Sequence, residues 1–98
     1  MKQYDVYVGH GDRPDAFLSF IHLENYALGL GLPGLTTFDS HGAWVSATGN
    51  TEPTRVFRFI LPDTPTDPWS VRTFAAEAKK VLDQQVVLVT VTDVSVYQ

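Results

Sequence analysis

Four side chains with chemical potential sit in or near turn-like stretches: His10, His41, Trp44 and Glu52. Gln84 and Gln85 follow later in the chain. Imidazoles and a carboxylate can move protons or hold a metal, an indole can wall a ligand, and amides can fix its polar groups. Spacing decides between these uses. No H-x-H or HExxH pair is present, so neither a metal site nor a cofactor is expected. With no cysteine, thiolate chemistry, disulfides, Cys-type zinc sites and iron–sulfur clusters are excluded. Ser19, Ser40, Ser46, Ser70 and Ser95 all lack a G-x-S-x-G setting. Gly9-His10-Gly11-Asp12 stands where a phosphate loop would stand. It lacks the full G-x-G-x-x-G and any nearby lysine, and reads as a tight turn. His22, beside Glu24, reads as a solvated residue. The spacing assigns no catalytic residue.

The elements that must position these groups show in the periodicity. Tyr4, Val6 and Val8 alternate with Gln3, Asp5 and Tyr7, as in a strand with one buried face. Asp12, Pro14 and Asp15 then predict a helix start, with Asp12 as the cap. Phe17, Phe20, Ile21 and Leu28 keep helical spacing, widened by Leu23, Ala27 and Leu30, and predict a core-facing stripe. Gly29, Gly31, Pro33 and Gly34 end it. Leu35 to Phe38 predicts a second strand, extended or bulged at Gly42 to Val45, and Arg55 to Leu61 a third. Asp67 and Pro68 predict the cap and first turn of a second helix. Its stripe is Val71, Phe74, Ala75, Ala78, Val81 and Leu82. Val86 to Val96 is the last strand, with a phase shift near Thr92 and Asp93.

The order β-α-β-β-α-β with right-handed crossovers predicts one domain over residues 1–98, an α+β ferredoxin-like sandwich. Its four antiparallel strands take the order 4-1-3-2, with two helices on one face. In that topology strands one and two end where strands three and four begin. His10, His41, Trp44, Glu52 and Gln84 or Gln85 are therefore expected at one edge, near the start of the first helix. Two uses of that edge compete. Glu52 and a glutamine can form a structural hydrogen-bonded corner under Trp44, or the group can line a small-ligand site.

The run Gly34-Leu35-Thr36, then Gly42-Ala43-Trp44, Glu52, and a glutamine before Val86-Val87 resembles small uncharacterised ferredoxin-like families of bacteria and phages. The resemblance covers about the last two-thirds of the chain. It implies the fold and a phage or bacterial source, and brings no activity with it.

The sheet face away from the helices is expected to be open. Matching Val6 with Phe57 on the inner face places Tyr7 with Val56, Asp5 with Arg58 and Gln3 with Ile60 outside. Strand four then adds either Val87, Val89 and Val91 or Val86, Leu88 and Thr90. Such a face predicts a homo-oligomer, most simply a dimer through the open sheet. Nucleic acid is not an expected partner: the net charge is −4, neither sign is clustered, and the aromatic strand signature of RNA-recognition domains is missing. No apolar run reaches the roughly 20 residues of a membrane span, and the first ten residues lack a signal-peptide apolar region. A cytoplasmic location is expected. The function these readings predict is a small oligomeric interaction or regulatory module. A ligand-binding sensor, or a cofactor-free enzyme of the dimeric α+β-barrel kind, is the alternative.

Overall fold

The computed structural model describes residues 1–10, 15–32, 34–40, 53–63, 68–84 and 87–95. Its elements are β1 (Lys2–Gly9), α1 (Ala16–Gly29), β2 (Thr36–Ser40), β3 (Thr54–Leu61), α2 (Trp69–Val81) and β4 (Leu88–Asp93). The sheet order is β2-β3-β1-β4, antiparallel throughout, which is the expected 4-1-3-2 order. The fold is the ferredoxin-like α+β sandwich.

The register follows from alternation. Val6 faces Phe57 and Asp5 faces Arg58, as the inner-face matching predicts. A one-residue slip would turn Val6, Val8, Phe57 and Phe59 out of the core, so burial holds the register in place. Those four side chains are fully buried, and Leu23, Phe74, Ala78 and Leu82 close over them from the helices. Phe74 anchors α2, with its ring 5.2 Å from Phe57 and 5.0 Å from Phe59. Of the two phases open to strand four, β4 pairs Val89 with Val6 and Thr90 with Asp5. Val89 and Val91 thus share the helix-side phase, and Leu88, Thr90 and Thr92 take the outer one.

The outer face, opposite the helices, carries an ion pair at its centre and is less open than expected, since Val56 on it is fully buried and Asp5 is 5% exposed. Arg58 donates from Nε to Asp5 Oδ1 at 2.9 Å and from Nη2 to Oδ2 at 3.1 Å. Gln3 adds a bond to Oδ2 at 3.3 Å, and the guanidinium lies 4.9 Å from the centre of the Phe38 ring. Gln3, Asp5, Arg58 and Phe38 therefore link three strands across the outside of the sheet.

α1 departs from expectation in two ways. Its first residue is Ala16, so Asp15 precedes the helix and makes no side-chain cap bond, while its carbonyl accepts from Leu18 and Ser19. The expected cap, Asp12, lies outside the described residues, as does Pro14. The larger correction concerns the buried face. Ala16, Phe20, Leu23 and Ala27 face the sheet, whereas Phe17, Ile21 and Leu28 are exposed. The helix is apolar nearly all round, so spacing alone could not choose a face. The alanines decide it, because they let the backbone approach the sheet closely.

Both helices end alike. Leu32 N–H bonds Ala27 O and Gly31 N–H bonds Leu28 O around Gly31 at φ 74°, while the buried Leu32 folds back onto the core. At α2, Gln84 N–H bonds Lys79 O and Asp83 N–H bonds Lys80 O around Asp83 at φ 51°. These are paired Schellman closures, but only the first has glycine at the left-handed position. Asp83→Gly should therefore raise stability by about 0.5–1 kcal/mol, since a side chain is disfavoured there. Thermal melts test this, and a lowered midpoint would mean that the Asp83 side chain itself supports the turn. α2 begins one residue later than expected: Pro68 is extended at ψ 107° and precedes the helix, and Asp67 lies outside the described residues.

Candidate functional site

Of the residues predicted to share an edge, the structure describes His10 and Gln84. His41, Trp44, Glu52 and Gln85 lie outside the described residues. His10 closes β1, and its N–H bonds the carbonyl of Pro53 at 3.0 Å. The residue after Glu52 is thereby joined to the strand-one exit. Gln84 is used locally, its amide donating to Leu82 O at 3.1 Å at the end of α2.

Sequence reasoning missed the group around His10. Its ring stands edge-on to Phe20 of α1, with centroids 5.0 Å apart. On the next strand, Arg55 takes the helix-side phase opposite Val8 and Asp39. Its guanidinium lies 4.8 Å from the centre of the Phe20 ring. Nη1 donates to Asp39 Oδ1 at 3.0 Å and Nη2 to Thr37 Oγ1 at 3.1 Å. Arg55 Nε is buried and, among the described residues, has no hydrogen-bond partner. A buried donor left unmatched typically costs about 1–3 kcal/mol, so this nitrogen is notable. Asp39 is largely exposed. The result is a polar corner at the end of the sheet: a stacked guanidinium, an exposed carboxylate and two aromatic rings. Arginine in a strand gives no spacing signal of its own. Only its opposition to Asp39 across β2–β3 could have flagged it.

Two features lie elsewhere. His22 is not simply solvated, because its Nε2 meets Glu77 Oε1 of α2 at 3.2 Å. A cavity of about 360 Å³ lies between α2 and the β1–β4 side, lined by Tyr4, Pro68, Val71, Arg72, Ala75, Val89 and Val91. Its walls are mostly apolar and bring no reactive pair together. Among the described residues no three His, Cys, Asp or Glu side chains converge as metal ligands. No described helix is long and apolar enough to cross a membrane.

Comparison with known proteins finds similar backbones among solved structures. The backbone is similar to that of a phage SAM lyase. That protein was solved in complex with S-methyl-5′-thioadenosine; the TM-score is 0.59 at 18% identity, covering 94% of this chain and 80% of that one. A dimeric ferredoxin-like protein of unknown function from Jannaschia sp. CCS1 aligns at TM-score 0.43 and 17% identity, covering 96% of this chain and 100% of that one. No protein-family model matches the chain, and no curated protein matches it. At these identities the likeness establishes the fold alone.

Proposed function

We propose that this chain is a small oligomeric module that binds a zwitterionic nucleoside at the strand-one exit, with SAM (S-adenosylmethionine) as the first candidate. The observation that carries this reading is Arg55, whose guanidinium is stacked, paired with an exposed carboxylate and left with a buried, unmatched Nε–H. An ion pair of that kind suits an amino-acid headgroup, whose carboxylate takes the guanidinium and whose ammonium takes Asp39. His10 and Phe20 supply aromatic surface beside it. The likeness to a SAM lyase supports the ligand class, and the acidic balance of the chain favours a cationic sulfonium. His41, Trp44, Glu52 and Gln85 complete the site in this reading, with Trp44 as an apolar wall and Glu52 as the acid next to Pro53.

Titration calorimetry with SAM and with S-methyl-5′-thioadenosine tests the proposal. SAM should bind, and Arg55→Gln should weaken it about 10–100-fold, the loss expected for a charged hydrogen bond. S-methyl-5′-thioadenosine lacks the amino-acid headgroup, so its affinity should hardly depend on Arg55. Absence of binding by either compound at millimolar concentration would remove the reading. Chromatography of a SAM incubation adds a second outcome: cleavage to S-methyl-5′-thioadenosine and homoserine lactone faster than in a protein-free control would make the module an enzyme rather than a sensor.

Oligomerisation belongs to the same reading. Leu88 on the outer sheet face, Val91 on the helix-side phase, Trp69 on α2 and several α1 side chains remain in solvent, and an oligomer would cover part of that surface. The open sheet face, the surface indicated by the sequence, offers Tyr7, Phe38, Ile60 and Leu88 around the Asp5–Arg58 pair.

A further inference from the structure

β4 is the edge strand beside β1, and the helix layer does not close over it. α2 packs on the sheet centre, on β1 and through Phe74 against Phe57 and Phe59 of β3. Val89 and Val91 hold the helix-side phase of β4, yet Val91 is 53% exposed. The cavity of about 360 Å³ lies between these valines and α2. Tyr4, Val89 and Val91 form its strand wall, and Pro68, Val71 and Ala75 its helix wall. Ala75 is too short to fill the gap. Arg72 is the one charged residue on the lining.

We propose that this cleft binds a small apolar carboxylate, its tail held between the two walls and its charge on Arg72. Three observations select that chemistry. The first is size: at roughly 30 Å³ for each methylene-sized group, the cavity takes about a dozen non-hydrogen atoms, near the lower end of small-molecule sites. The second is polarity. The side-chain polar groups on the lining are the Arg72 guanidinium and the Tyr4 hydroxyl, against five aliphatic residues, which suits a ligand polar at one end only. The third is charge. At about 100° per residue, Val71, Arg72, Ala75 and Lys79 share one arc of α2. Glu77, the sole acid of α2, falls on the opposite side, where it meets His22 of α1. On the strands, Lys2 and Asp93 neutralise each other across the β1–β4 pair. The helix wall is therefore cationic in a chain of net charge −4. A guanidinium carries five N–H donors, so a bond within the protein still leaves a pair for a carboxylate.

This site is separate from the strand-one exit. Asp39 and Arg55 lie on β2 and β3, across the sheet from β4.

Methyl NMR of the full chain, titrated with octanoate and with 1-octanol, tests the proposal. Octanoate should shift the Ala75, Val89 and Val91 methyl signals with a dissociation constant on the order of 0.1–1 mM, the affinity that about ten non-hydrogen atoms support. Octanol has the same tail and no charge, and should bind about 5–10-fold more weakly. Arg72→Gln should weaken octanoate by about the same factor and leave octanol unchanged. Ala75→Phe should fill the cleft and remove both shifts. Should that variant fail to fold, Val91→Glu, at an exposed position, should remove octanoate binding alone. Arg55→Gln should leave octanoate affinity as it is. No methyl shift at about 5 mM octanoate would overturn the site. Equal affinity for octanoate and octanol, or indifference of octanoate to Arg72→Gln, would overturn the carboxylate. Loss of octanoate binding with Arg55→Gln would place it at the strand-one exit and overturn the cleft, whatever the SAM titration shows. Val89 and Val91 signals that move on diluting the wild-type chain alone would put a second copy in the cleft and overturn it too.

Discussion

Phe74→Ala should cost about 3–5 kcal/mol, the usual loss for a buried phenylalanine. Of a total stability on the order of 5–15 kcal/mol, that is enough to leave the chain marginal or unfolded. The side chain is fully buried and joins α2 to the centre of the sheet through ring contacts with Phe57 and Phe59. Truncation empties the space between them, and the backbone cannot close it without moving the helix. Urea denaturation followed by circular dichroism measures the loss. Trp69→Ala is the internal control: that larger ring is on the same helix but mostly in solvent, so its removal should stay within about 0.5 kcal/mol. Similar losses for the two variants would mean that α2 is rotated from the position described.

The second large effect belongs to the ion pair on the open face. Asp5 is 5% exposed, although its partner Arg58 retains about a third of its side-chain exposure. Arg58→Leu strands a buried carboxylate with only the Gln3 amide to solvate it. Removing one member of a fully buried pair costs about 3–5 kcal/mol. The remaining exposure and Gln3 lower the expectation to about 2–3 kcal/mol, or roughly 10–20 °C in melting temperature. Asp5→Asn should cost less, because an amide oxygen still accepts from the guanidinium. The double change Asp5→Leu with Arg58→Leu should be milder than Arg58→Leu alone, since no charge is then left without a partner. That ordering is the test. Equal losses in the single and double variants would show that shape, not charge burial, dominates. The bond to Asp5 raises the Arg58 pKa above its ordinary value. A raised cationic pKa contributes stability that is complete below the unfolded value and is lost only as pH rises through the folded one. Neutral-pH melts therefore sample the intact pair.

The parts of this fold legible in the sequence are those where a single strong alternation decides. Val6 against Phe57 fixes the faces, because a one-residue slip would bury charge and expose phenylalanine, and Asp5 against Arg58 adds a charge pairing that a two-residue slip would break. The α2 stripe was equally plain, with polar residues filling the opposite face. α1 was not, since Phe17, Leu18, Phe20, Ile21, Leu23 and Leu28 satisfy more than one helical face. The choice between them rests on contact with the sheet. Strand four was ambiguous for a similar reason: valines occupy both phases, and pairing with β1 selects one. At the candidate site, His10 was visible from its turn. Arg55 was not, because its meaning depends on Asp39 and Phe20 converging from β2 and α1. His41, Trp44, Glu52 and Gln85 remain part of the proposal, outside the described residues.

The place of β1 in the sheet has a consequence for synthesis. This strand is second to be flanked on one side by β3 and last on the other by β4, where Lys2 pairs with Asp93. Translation at about 5–20 residues per second leaves on the order of 1–6 s between the emergence of β3, which ends at Leu61, and that of β4, which begins at Leu88. Through that interval a nascent chain holds an apolar strand with one row of backbone amides and carbonyls unmatched. Such an edge is a template for other extended segments, so the yield of folded protein should depend on how quickly the ribosome delivers the final strand.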